Sequence, residues 1–228
     1  MNQQEGSKTM SQQNDVNQAH SQTQSQNQST VAVPVESLDE LQQKDSSKER
    51  AERRGLFLMY TGDGKGKTTA ALGVSLRALG RGMNVSFLQF IKSPQRSYGE
   101  ALSMRKLGME MQQLGIGFTW TKTPEEHREA LKKAWTLAKA KLSDSTIDLL
   151  VLDELNNALA ISTFSIEDVM PLVEVVEAIK NRPTNMHLVI TGRSAKTELI
   201  ELADLVSTIE PSKHYYNEGI PAVKGLEF

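Results

Sequence analysis

The sequence predicts an α/β fold, a mainly parallel sheet with helices on both faces. Three observations predict it. Short apolar runs alternate with helical segments from about residue 55 onward. The runs lack the in–out alternation of a half-solvated strand, so both faces of the sheet are covered. The first run leads directly into a glycine-rich turn and then a helix, "YTGDGKGKTTAA" from Tyr60 to Ala71.

The elements follow in order. "GLFLMYTG" is a strand that stops at glycine. "KTTAALGVSLRALGRG" is a helix closed by glycine, with Ala70, Val74 and Ala78 recurring at near-helical spacing. "NVSFLQFI" is a second strand. "TPEEHREALKKAWTLAKAKL" is a helix with Thr123 as N-cap, Pro124 at its first position and Glu126 completing a capping box. "IDLLVLDEL" has the character of a buried strand. "SIEDVMPLVEVVEAIKN" is a helix capped by Ser165, "NMHLVITG" a strand, "KTELIELA" a short helix and "LVSTIEP" a last strand. Residues from about 48 to 228 thus form one α/β domain, and ligands are expected at the carboxyl ends of its strands.

Composition sets the rest apart. Of the first 30 residues, 21 are Gln, Asn, Ser or Thr, so residues 1–47 are expected to be a disordered leader that buries too little apolar surface to offset its ordering entropy. It has no apolar core of a secretory signal and is poor in arginine. No stretch is apolar for the roughly 20 residues that a membrane span needs, so no membrane partner is expected. A net charge of −2 generates no field that favours nucleic acid. The chain has no cysteine, which removes disulfides, thiolate metal sites and cysteine nucleophiles and fits a reducing, cytoplasmic setting. The basic run "KERAERR", Lys48 to Arg54, alternates with acids and reads as a solvated helical face.

The turn carries the chemistry. It ends in Gly66, Lys67 and Thr68, as a phosphate-binding loop does, but Thr61 stands where the first glycine of G-x-x-x-x-G-K-[ST] belongs. Backbone amides around Gly62, Gly64 and Gly66 can converge on an anion, and the following helix adds its positive end. Lys67 can neutralise phosphate oxygens, Lys65 adds charge inside the loop, and the Thr68 hydroxyl can ligate Mg²⁺. This points to a P-loop (RecA-like) fold. "LLVLDEL" ends its strand in Asp153 and Glu154, where such folds hold a metal or its water shell. Glu154 is favoured as ligand and Asp153 as its partner, although the sequence does not separate them.

Nothing marks an attacking water, and neither a GTPase base-recognition string nor a kinase base is present. "GIGFTWTK" places Phe118 and Trp120 two residues apart, on one side of an extended segment. The two rings can form a core strand or a wall for a flat apolar ligand. The loop alone leaves open a nucleotide-driven switch, and the rings leave open a non-enzymatic carrier of such a ligand.

From about Arg53 to Phe228 the chain resembles the P-loop ATP:corrinoid adenosyltransferase family, of CobA/CobO/BtuR type. The resemblance rests on "RGLFLMYTGDGKGKTTAALG", "QFIK", "GFTW", "VLDEL", "ITGR", "ELADLVS" and "KHYYNEGIPAVKGLEF", in that order. The short loop is itself a family feature. The resemblance implies transfer of the 5′-deoxyadenosyl group of ATP to the Co(I) of a reduced corrinoid, with release of tripolyphosphate and a nucleotide of reversed polarity in the loop. It implies a triphosphate cradle from Thr61, Gly62, Asp63, Gly64, Lys65, Gly66, Lys67, Thr68 and Thr69. Arg77 resembles an arginine that reaches phosphate, and Gln89, Lys92 and Arg193 stand at strand ends on the ligand side. It implies Mg²⁺ or Mn²⁺ held by Thr68 and Glu154, and Phe118 and Trp120 against the lower corrin face. Lys67, Thr68, Phe118 and Trp120 are the residues expected to carry catalysis. A flavoprotein reductase, a homodimer and a lid formed by residues 48–54 are also implied. Lys213 and His214 match without a role, and His214 reads as structural.

Overall fold

The computed structural model describes residues 54–109, 111–117 and 122–228. The expected leader, the basic segment up to Arg53, and Phe118 and Trp120 lie outside the described residues.

The central runs, 149–153 and 187–191, are strands whose apolar side chains are buried whichever way they point, whereas the last run, 205–208, is an edge strand that leaves Leu205 and Val206 exposed. β1 (Phe57–Thr61), β2 (Val85–Gln89), β3 (Met111–Gln113), β4 (Leu149–Asp153), β5 (His187–Thr191) and β6 (Leu205–Thr208) form one sheet. Its order is β3–β2–β4–β5–β1–β6, and every pairing is parallel. All five residues of β4 are buried. Its alternate side chains divide between two cores: Leu150 and Leu152 enter one, Leu149 and Val151 the other. The same division holds on β5, with Leu188 and Ile190 against Val189. This is the physical content of strands without in–out alternation.

Helices cover both faces. α1 (Lys67–Leu79) and α2 (Gly99–Lys106) contribute Ala71, Ala78 and Met104 to one core. α3 (Pro124–Leu142), α4 (Leu155–Leu159), α5 (Leu172–Lys180) and α6 (Thr197–Leu202) supply the other. The capping box of α3 forms as expected: Thr123 Oγ1 accepts from the Glu126 amide at 3.2 Å, and Glu126 Oε2 accepts from the Thr123 amide at 2.9 Å. Trp135 on α3 is buried, and its indole N–H donates to Glu174 Oε2 of α5 at 3.1 Å. Truncating such a ring to alanine costs about 3–5 kcal/mol.

One expectation changes, and two elements are added. The helix read from Ser165 begins instead at Leu172. Pro171 has no N–H to give and disfavours helical backbone at the residue before it. Residues 166–170 close a separate turn, in which the Met170 amide donates to the Ile166 carbonyl at 2.8 Å. Ser165 caps nothing, and its carbonyl accepts from Arg128, whose guanidinium also grips Asp168. α2 and β3 are additions that the sequence reading did not contain. β3 is three half-buried residues, Met-Gln-Gln, on a sheet edge, and α2 has no side-chain cap.

One strand, β5, separates β1 from β4. The loop after β1 and the acids that end β4 therefore meet at the carboxyl edge of the sheet, and the residues after β5 and β6 flank them.

Candidate active site

The loop from Thr61 to Gly66 is shaped by its neighbour strand. Gly62 has φ +92°, and the Ile209 backbone after β6 lies against it. A Cβ on Gly62 would sit 2.5 Å from the Ile209 carbonyl oxygen, and one on Gly64 2.8 Å from it. Only glycine allows that approach. The Gly64 amide donates to the same carbonyl at 2.7 Å. Of the amides expected to converge on an anion, that of Gly64 is thus turned to the wall. Gly66 is the N-cap of α1 and brings no capping side chain. The first amides of the helix, at Lys67, Thr68 and Thr69, are therefore the donors positioned for a phosphate.

Lys67 bends back into the loop. Its Nζ donates to the carbonyls of Gly62 at 2.7 Å and Gly64 at 2.6 Å. Burial, then the charge of Arg193, holds its ammonium below the usual lysine pKa. An anion entering the loop would relieve both effects, since it replaces carbonyl dipoles with a full negative charge.

The acids that end β4 differ sharply. Asp153 is fully buried. Its Oδ1 accepts from Thr68 Oγ1 at 2.9 Å and from Thr191 Oγ1 at 2.6 Å, and its Oδ2 accepts from Gln89 Nε2 at 3.0 Å. Thr191 also accepts the Glu154 amide at 2.9 Å, which ties β5 to the turn after β4. Glu154 holds a left-handed backbone, φ 63°, and is the N-cap of α4. Its carboxyl makes no hydrogen bond to a described residue. Burial first, and Asp153 second, push its pKa from 4.5 up to about 7.

The remaining expected residues divide. Arg193 braces the loop: its Nη2 donates to the Asp63 carbonyl at 3.2 Å, and its Nε lies 3.7 Å from Asp63 Oδ1. Its own amide is held by Asn157 Oδ1 at 2.8 Å. Gln89 is fully buried: its Nε2 donates to Asp153 and positions that carboxylate, while its Oε1 has no hydrogen-bond partner among the described residues. Lys92 pairs with Glu100 and lies 4.8 Å from the centre of the Tyr98 ring. Arg77 is exposed in the last turn of α1, about 15 Å of helix rise from Lys67, and the structure does not bring it to the loop. Phe118 and Trp120 follow Gly117, which lines an apolar cavity of about 190 Å³ with Phe90, Ile91 and Asn157.

Thr191, Asn157 and Ile209 were not singled out by the sequence. "ITGR" carries Thr191 beside Arg193, but nothing in the string shows that it spans two acids. Among the described residues no cluster of three or more His, Cys, Asp or Glu could hold a metal by itself. The donor set instead suits a divalent ion that also binds phosphate. Thr68 supplies a hydroxyl, and Glu154 supplies a carboxyl whose charged form burial and Asp153 disfavour more than the charges of Lys92, Lys67 and Arg193 favour it.

The family model for ATP:corrinoid adenosyltransferase BtuR/CobO/CobP matches residues 53–228. The chain is similar to the corrinoid adenosyltransferase of Escherichia coli K12, 40% identical over 178 residues, which are 78% of this chain and 87% of that protein. It is similar to the corrinoid adenosyltransferase CobA of Salmonella typhimurium LT2, 39% identical over 178 residues, with the same coverage of 78% and 87%. The corrinoid adenosyltransferase of Pseudomonas aeruginosa is 40% identical over 181 residues, 78% of this chain and 85% of that protein.

Proposed function

The chain belongs to the ATP:corrinoid adenosyltransferase family, and we propose that its phosphate loop is the seat of a leaving group. The protein is a corrinoid adenosyltransferase of cobalamin biosynthesis, with ATP and a corrinoid as substrates. In the proposed reaction the electron pair of Co(I) attacks C5′ of ATP. A cobalt–carbon bond forms, the C5′–oxygen bond breaks, and its electron pair leaves on tripolyphosphate. Cobalt ends formally as Co(III). No proton has to move, so the protein's work is positioning and electrostatics.

The observation that carries this reading is the contact of Thr68 with buried Asp153 beside Lys67. It supports a seat for a triphosphate and its metal. Lys67 leaves the Gly62 and Gly64 carbonyls for the phosphate chain, and the amides of Lys67, Thr68 and Thr69 complete the cradle. Thr68 and Glu154 would hold Mg²⁺ or Mn²⁺, with Asp153 orienting the threonine. The ion would offset charge that develops on the departing triphosphate. Arg193 keeps Asp63 and the loop tip in place.

Phe118 and Trp120 close the lower face of the corrin in this reading and exclude its axial base. A four-coordinate Co(II) accepts an electron more readily, and a flavoprotein reductase supplies it. Residues 48–54 act as a lid, the enzyme works as a homodimer, and it works in the cytoplasm. Among the described residues no helix is long and apolar enough to cross a membrane.

The test is direct. Protein, ATP, Mg²⁺ and chemically reduced cobalamin are mixed, and the absorbance of the alkylated corrinoid is followed with tripolyphosphate release. Orthophosphate release without alkylated corrinoid would sink the reading. Trp120→Ala is expected to spare transfer to pre-reduced Co(I) more than the reaction that starts from Co(II). Equal losses in both assays contradict the lower-face role.

A further inference from the structure

The segment "KHYYNEGIPAVKGLEF" runs back to the phosphate loop. Glu227 Oε2 lies 2.7 Å from Lys65 Nζ, and the Glu227 side chain is 18% exposed against 43% for Lys65. The other carboxylate oxygen of Glu227 accepts from the Tyr215 hydroxyl. Tyr215 opens a 3₁₀ turn, Tyr215–Glu218, whose cap is His214: its Nδ1 accepts from the Tyr216 amide at 3.1 Å. The ring of His214 packs on Tyr215 at 4.7 Å between centroids. Glu227 is fixed from its own backbone too, because its amide donates to the Val223 carbonyl at 3.0 Å. Next to it, the Phe228 ring sits 5.3 Å from the Arg96 guanidinium. A line of contacts therefore runs from His214 through Tyr215 and Glu227 to Lys65.

The loop is held on three sides. Gly64 is bonded to Ile209, Asp63 to Arg193, and Lys65 to Glu227. The first two fix the backbone and the loop tip. Lys65 stands between two glycines, Gly64 and Gly66, and its ammonium pairs with Glu227. An exposed ion pair adds little to stability. An ordered one beside a binding loop restricts where that loop can go, and a loop already in its binding shape loses less entropy on binding.

We propose that Glu227, oriented by Tyr215, is a positioning residue for ATP: through Lys65 it holds the outer wall of the loop in the shape that receives the triphosphate. The inference rests on the reading of the loop as the triphosphate seat. It gives His214 a structural task, as the cap that aims Tyr215.

The experiment compares full-length wild type with Glu227→Gln, measuring KM for ATP, kcat and KM for corrinoid. The variant is expected to raise KM for ATP about fivefold, the size of a partly buried charge-assisted contact. It is expected to leave kcat and the corrinoid KM within about twofold. Glu227→Asp restores part of the loss, and Tyr215→Phe, which removes only the hydroxyl, raises KM for ATP in the same direction by a smaller factor. Lys65→Ala combined with Glu227→Gln is no worse than Lys65→Ala alone, because one acts through the other. An unchanged KM for ATP overturns the inference. So does a lower one, which would mean that Glu227 competes with phosphate for Lys65, and so does additive loss in the double variant. Calorimetric binding of Mg-ATP reads the inference apart from turnover. Wild type that binds ATP but alkylates no corrinoid defeats the proposed function, and the ratio of the two Kd values then still decides the role of Glu227.

Discussion

On its inner side the phosphate loop meets a buried carboxylate, and on its outer side a backbone carbonyl, one solvent-facing ion pair and one partly buried pair. Asp153 is fully buried and receives hydrogen bonds from Thr68, Thr191 and Gln89. Arg193 and Asp63, by contrast, are 58% and 77% exposed. A charge in the interior is tolerable only when every lone pair is matched, so the inner wall cannot change without large cost. Exposed pairs are screened and individually weak, so the outer wall can steer the loop without carrying the stability of the fold. The contrast separates two tasks: the inner wall builds the seat, and the outer wall sets its shape.

Substitutions sharpen or break that contrast. The largest effect is expected at Lys67→Ala, a loss of about 100-fold or more in kcat/KM with little change in thermal stability, since its partners are loop carbonyls that water can satisfy. A fully active variant would remove the triphosphate seat. Asp153→Ala comes next, with a loss of about 2–4 kcal/mol in urea unfolding, because three donors, two of them fully buried, are left without their acceptor. A variant as stable as wild type would mean that the inner wall is no more demanding than the outer one.

Glu154→Gln tests the inner wall through pH. The folded pKa of Glu154 is raised from 4.5 to about 7, so the fold favours its protonated form. Its contribution to stability is complete below pH 4.5 and is lost as pH rises through 7. The glutamine variant should therefore match wild type at acid pH and exceed it at pH 8 by on the order of 3 kcal/mol without ATP or metal. Parallel stability curves for the two proteins would contradict a carboxyl whose burial outweighs the cations near it. Arg193→Ala is expected to have the smallest effect, a rise in KM for ATP of about threefold or less that shrinks further in high salt. A loss as large as that of Lys67→Ala would place Arg193 on the phosphates instead of on the loop.

What could be read from the sequence follows the same division. β1, β4 and β5 announce themselves because burial on both faces demands continuous apolar runs. The capping box of Thr123 and Glu126 is local, and so is the Gly66–Lys67–Thr68 string. Asp153 was readable as an acid at a strand end, but its partners were not. Gln89 and Thr191 reach it from strands on either side, and only the order β2–β4–β5 brings them together. The outer wall was the least readable part. Arg193 and Glu227 meet the loop across most of the domain, and no spacing rule connects them to it. The late start of α5 was missed because a helical pattern ran through Pro171, whose missing N–H outweighs the pattern.

The amide of Gly64, committed to the Ile209 carbonyl, has a consequence for turnover. Tripolyphosphate must depart before the next ATP can enter, and its residence time is set by the bonds it must break. A loop that donates one amide fewer grips a polyanion less firmly. A hydrolase that leaves part of its nucleotide bound can tolerate a tight grip. An enzyme whose whole phosphate chain is waste gains from letting go.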